Sequence, residues 1–146
     1  MTMNREEIKQ YLPHREPMLL VDEVNLEGEY VHATYRVRGD EFFLQGHFPG
    51  FPVVPGVILC EIMAQSCCLL IKEELIGRTP FYGGFDNVRF KKQARPGDLL
   101  EIKAKITQRR GLMFFIEASM TIEGQLCTKG NLTFVLVDND KLQFSK

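Results

Sequence analysis

The alternation of apolar and polar side chains is cleanest from Tyr30 to Arg38. Val31, Ala33, Tyr35 and Val37 fall on one face there, and His32, Thr34, Arg36 and Arg38 on the other. A period of two is the signature of a half-buried strand, and it places His32 on the solvent side. The pattern returns from Asp98 to Gln108, with Leu100, Ile102, Ala104 and Ile106 inward. It returns again from Leu112 to Ile122 through Phe114, Ile116, Ala118, Met120 and Ile122. Met18–Val24 reads as an early strand, Phe81–Phe85 begins another, and Leu126–Val137 is the last. Gly83 and Gly84 inside a strand mark a close approach of ligand or backbone.

One stretch breaks this alternation. From Val57 to Ile71 the only polar residues are Glu61, Gln65 and Ser66. The spacing predicts a helix from about Pro55 to Ile76, roughly 33 Å long at ~1.5 Å per residue, with Pro55 near its start and Gly77 as its stop. A helix apolar on nearly every face has to be wrapped by something large. A second, short helix is predicted after Asn4, whose side chain and Glu7 form a capping box, with Met3 and Ile8 as a hydrophobic staple. The order is helix, two strands, long helix, four strands. Hairpin-length connections predict an α+β fold, a curved antiparallel sheet wrapped around one long apolar helix.

Length and charge narrow the function classes. The 146 residues suit one domain spanning 1–146, and a net charge of −1 gives no case for nucleic acid or membrane binding. Cys60, Cys67, Cys68 and Cys127 contain no C-x-x-C pair, and three lie on the apolar helix. They read as buried small hydrophobes in a reducing compartment, not as disulfides. The N-terminus lacks the order of a signal peptide, and the apolar run is too short to span a bilayer. A soluble cytoplasmic protein is expected.

The chemistry concentrates around the start of the long helix. Gly46-His47-Phe48-Pro49-Gly50-Phe51-Pro52-Val53-Val54-Pro55-Gly56-Val57 is a tightly pinned loop holding one titratable residue, His47. Glu61 is an ionisable group in an apolar helix, and Gln65 lies one turn further on the same face. Taken singly, these are a structural histidine, a paired acid and a core hydrogen bond. In combination they supply a base, an anion-binding helix start and an acid whose pKa burial should raise. His14, His32 and His47 have no metal-ligand spacing, and no phosphate loop is present, so no metal or cofactor is expected.

Several segments resemble the β-hydroxyacyl-acyl carrier protein dehydratases of bacterial fatty acid synthesis, the FabZ type of the hot-dog fold. These are Leu12-Pro13-His14-Arg15, the run from Phe42 to Gly50, Pro55-Gly56-Val57, Glu61-Ile62-Met63-Ala64-Gln65 and the run from Phe85 to Phe90. The resemblance covers about Leu12 to Val137. It implies His47 as the base toward C2 and Glu61 as the acid toward the leaving hydroxyl. It implies the Gly56 amide as donor to the thioester oxygen. Gln65 is either a partner fixing the Glu61 carboxyl or a simple core hydrogen bond. Glu61 stands where the dehydratase–isomerase siblings carry Asp, which argues for dehydration alone. Two departures bear on the acyl tunnel: Glu41-Phe42-Phe43-Leu44 lacks the usual proline, and Cys60, Cys67 and Cys68 replace small apolar residues.

The implied partners are acyl carrier protein and a second copy of the chain. His47 and Glu61 of one site would come from different subunits of a dimer, with a trimer of dimers left open. Arg89, Lys91, Lys92 and Arg95, with Arg109 and Arg110, form a candidate dock for the acidic carrier; the competing reading is a solvated basic edge. Two other functions stay open at this point, a hot-dog acyl thioesterase and a non-catalytic acyl-binding module.

Overall fold

A computed structural model describes residues 1–142. The strands are β1 (Thr2–Asn4), β2 (Glu23–Glu27), β3 (Tyr30–Arg36), β4 (Arg78–Phe90), β5 (Leu99–Arg110), β6 (Met113–Ile122) and β7 (Gln125–Asp138). They form one antiparallel sheet in the order β1-β2-β3-β5-β6-β7-β4. The helices are α1 (Arg5–Ile8) and α2 (Gly56–Ser66).

The inward faces are the ones the alternation marks. Val31, Ala33 and Tyr35 of β3, Leu100, Ile102 and Ala104 of β5, and Phe114, Ile116, Ala118 and Met120 of β6 are buried. Leu59, Ile62 and Met63 of α2 fill the concave side they make. Each of the larger of these side chains, taken from water into the core, contributes about 1.5–3 kcal/mol, so the sheet curls around the helix instead of lying flat. At the N-terminus the capping box is formed: Asn4 accepts from the Glu7 amide, and Glu7 reaches back to the Asn4 amide.

Three expectations need correction. The long helix does not run to Ile76; it is α-helical only to Ser66, then 3-10 over Cys67–Ile71 and turns to Gly77. The Ser66 hydroxyl donates to the Ile62 carbonyl at 2.7 Å, and the Cys67 thiol approaches the Met63 carbonyl at 3.2 Å. Side chains that bond back to the i−4 carbonyl compete with the helical ladder and bend it. Gly77 does close the segment, with a φ of 73° that suits glycine. The early strand starts at Glu23, not Met18, because the Leu20 amide bonds to the Gln65 side chain instead of to a neighbouring strand. β1 is too short to have been read; it pairs Met3 with Val24.

β4 stands apart from the other long strands. It has β7 on one side and, among the described residues, no strand on the other, and none of its residues is buried. Phe81, Tyr82 and Phe90 are all about half exposed.

Candidate active site

His47 is set by its loop. Its amide donates to Leu44, its carbonyl accepts from Val53, and the Phe48 and Phe51 backbones bond to each other. The His47 Nδ1 lies 3.0 Å from the Val53 carbonyl, and the ring stacks on Phe48 with 4.4 Å between centroids. A carbonyl only accepts, so Nδ1 carries the hydrogen and a neutral ring keeps the Nε2 lone pair free. That is the tautomer a base needs.

The next residues begin α2. Ile58 and Leu59 donate to the Pro55 carbonyl, whereas the Gly56 and Val57 amides have no backbone partner among the described residues. They are free donors at the positive end of the helix. A Cβ at Gly56 would be tight, 3.0 Å from the Phe90 ring, which would have to give by a few tenths of an ångström.

Glu61 lies on the wall of a cleft of about 580 Å³, open mouth included, whose lining is largely apolar (Cys67, Cys68, Ile71, Leu75 and Phe134). Its Oε2 accepts from Gln65 at 2.7 Å and lies 3.2 Å from His14 Nε2, while Oε1 accepts from the Tyr82 hydroxyl. Gln65 is itself fixed, accepting from the Leu20 amide and donating to the Met18 carbonyl, both at 2.8 Å. The Gln65 carbonyl oxygen is occupied, so its NH₂ must face Glu61.

The sign of the Glu61 shift differs from expectation. Burial alone pushes its pKa up, but the bonds from His14, Gln65 and Tyr82 outweigh burial and hold it below the ordinary carboxylate range. Hydrogen bonds to a charged group are worth about 1.5–3 kcal/mol each, so three donors overcome partial desolvation. Burial, and after it the same carboxylate, raises the Tyr82 phenol.

Glu61 and Gln65 are therefore brought together, and His14 and Tyr82 join them. His47 does not: it lines no part of this cleft and bonds to none of these side chains. Sequence reasoning missed His14 and Tyr82. The proline-flanked position of His14 in the Leu12-Pro13-His14-Arg15 motif was the available signal; Tyr82 had none beyond its glycine neighbours.

The basic residues separate into two groups. Arg89, Lys91 and Arg95 are exposed near the His47 loop, where Arg95 stacks over Phe51 at 4.2 Å, and Lys92 bonds to Gln125 at 2.9 Å. Arg109 pairs with Glu74 at 2.8 Å, and Arg110 shares a cross-strand row with Met113, Val135 and Phe81. Arg89 is further along β4 by roughly 25 Å at ~3.3 Å per residue, so the six cations do not make one patch. Among the described residues no group of three or more His, Cys, Asp or Glu is arranged to hold a metal.

A FabA-like domain model matches residues 12–131. The chain is 46% identical over 137 residues to the 3-hydroxyacyl-[acyl-carrier-protein] dehydratase FabZ of Clostridium perfringens, covering 92% of this chain and 99% of that one. The chain belongs to the FabZ dehydratase family. Its fold is the hot-dog fold. A dehydratase heterocomplex, ApeI:P, from Xenorhabdus doucetiae superposes with a TM-score of 0.78 at 23% identity, over 92% of this chain and 93% of that one. A hypothetical thioesterase with coenzyme A from Streptococcus pneumoniae superposes with a TM-score of 0.58 at 14% identity, over 79% and 87%. One fold thus serves two chemistries, and the fold alone does not choose between them. Family membership does.

Proposed function

We propose that this chain converts 3-hydroxyacyl-acyl carrier protein to the trans-2-enoyl thioester in fatty acid biosynthesis, acting as a hydro-lyase. The observation that carries the reading, beside family membership, is the Glu61 carboxylate held by Gln65 on the wall of an apolar cleft. An acyl chain fits that lining, and its C3 hydroxyl is the group a carboxyl there can serve. His47 Nε2 takes the C2 proton, the C3–O bond breaks, and the oxygen leaves as water with a proton from the Glu61 side. Charge developing on the thioester oxygen is met by the Gly56 amide; one preorganised donor of this kind is typically worth about 10²–10³ in rate. The substrate hydroxyl displaces Tyr82 from Oε1, since Gln65 and His14 already occupy Oε2.

The assay is direct. Incubation with 3-hydroxyacyl-carrier protein should give the ultraviolet absorbance of a conjugated thioester and no free thiol. Thiol release without that absorbance is the thioesterase outcome, and binding without either is the acyl-binding module.

A homodimer completes the site in this reading. Among the described residues β4 presents thirteen residues of unpaired edge with exposed Phe81, Tyr82 and Phe90, a liability for a chain that stays alone. Val57 at the start of α2 is 77% exposed as well. A second copy adding antiparallel at β4 covers both and makes a self-complementary contact. It brings the His47 loop of one chain toward the Glu61 cleft of the other; a trimer of dimers is compatible with this pairing. The four cysteines stand free, which suits the cytoplasm, and no helix among the described residues is long and apolar enough to cross a membrane.

The carrier docks, in this reading, on Arg89, Lys91, Lys92 and Arg95. None of these is ion-paired among the described residues, and Arg95 abuts the His47 loop through Phe51. Charge reversal at Lys91 and Lys92 should raise KM for carrier-bound substrate by about tenfold and flatten its salt dependence. The same acyl group on a short thioester should be turned over unchanged. Equal effects on both substrates, or a salt-insensitive wild type, remove the docking role. Arg109 and Arg110, at the other end of the sheet, should be silent in this measurement.

A further inference from the structure

His14 is an odd choice for a structural histidine. The Arg15 guanidinium clamps the carbonyls of Leu12, His14 and Lys9 at 2.9, 2.7 and 3.2 Å, which fixes the backbone and sends the imidazole into the Glu61 cleft. Its ring is 27% exposed, with Nε2 3.2 Å from Glu61 Oε2. Nδ1 is buried and has no hydrogen-bond partner among the described residues. Leaving a buried polar atom unsatisfied costs about 1–3 kcal/mol, which a purely structural residue has no reason to bear.

The three groups on Glu61 also differ in what they can give up. Gln65 is an amide locked by Leu20 and Met18 and does not titrate. Burial and Glu61 push the Tyr82 phenol up, so it keeps its proton. Burial does the same to the neighbouring thiols of Cys60 and Cys67. Imidazole alone among these can take a proton at one ring nitrogen and pass one on from the other, and the His14 Nε2 already faces Glu61 Oε2 at 3.2 Å. A Glu61 held ionised by its donors has none of its own to give to a leaving hydroxide. The acid therefore has to be more than Glu61.

We propose that the acid of this site is the His14–Glu61 pair, in which His14 is a positioning residue that supplies the proton Glu61 delivers. It rests on the dehydratase reading. His47 Nε2 takes the C2 proton, and the C2–H electron pair becomes the second C2–C3 bond as C3–O breaks. The oxygen leaves with its bonding pair, takes a proton through the Glu61 carboxyl, and departs as water. The His14 imidazolium replaces that proton and becomes neutral. His47 then loses its proton to solvent, and His14 regains one, which closes the cycle with one water formed.

The pH profile of kcat tests this on the full chain. In His14→Gln the alkaline limb should move at least about one pH unit toward acid, because an isolated carboxyl loses its proton sooner. The loss relative to wild type then grows with pH, while KM for substrate stays within a few-fold. His14→Asn should behave alike, and melting curves establish that each variant is folded. Adding Glu61→Gln to His14→Gln should cost no more than Glu61→Gln alone, since His14 acts only through Glu61. An unmoved limb with activity lowered evenly at all pH, or losses that multiply in the double variant, would overturn the pairing. A wild-type chain that does not dehydrate at all would instead overturn the reading beneath it.

Discussion

Changing His47 to Ala should leave a folded protein whose turnover has fallen by about two to four orders of magnitude, the range general-base removal produces. The fold has little to lose there. The ring makes one hydrogen bond, to Val53, and a stack on the exposed Phe48. A lost neutral hydrogen bond costs about 0.5–1.5 kcal/mol, and the loop keeps its backbone bonds through Leu44 and Val53. Glu61→Gln should lose turnover to a comparable degree. An amide of the same size still accepts from Gln65, and its NH₂ can donate to the Tyr82 oxygen, so the cleft stays formed. It cannot pass on a proton. Steady-state rates with carrier-bound substrate and thermal melting of the same samples check both claims. Near-wild-type turnover in either variant removes that residue from the chemistry.

Much of the fold was legible because burial is written into the sequence with a period. Val31, Ala33 and Tyr35, or Phe114, Ile116 and Ala118, alternate strictly because a strand offers its two faces in turn. The end of α2 was not legible, since Ser66 and Cys67 look like neutral helix residues until their side chains find the Ile62 and Met63 carbonyls. Composition could not show that β4 lies at the sheet edge; that depends on which strand each neighbour chooses. The site was half legible. His47 and Glu61 announce themselves as ionisable groups in a pinned loop and an apolar helix. The sign of the Glu61 shift is set by His14, 47 positions away by chain order, and by Tyr82, both of which reach it only through tertiary structure. Burial was the visible half of that balance, and the donors were the larger half.

Mixing the two inactive proteins should restore activity, and this is the sharpest consequence of where the parts lie. Within one chain His47 points into its own loop, bonded to Val53, while Glu61 faces a cleft that His47 does not line. Three prolines, Pro49, Pro52 and Pro55, stiffen the connection between them and leave the loop little freedom to fold back onto its own helix. If each site takes His47 from one subunit and Glu61 from the other, a mixed dimer of His47→Ala and Glu61→Gln chains has one intact site and one doubly broken site. Random exchange at equal amounts makes half of the dimers mixed, so the recovered specific activity should approach about a quarter of wild type. Separately tagged chains, unfolded and refolded together and then purified through both tags, isolate the mixed dimer; its activity should then approach about half. Doubly purified mixed dimers with no activity would place His47 and Glu61 of each site in the same chain.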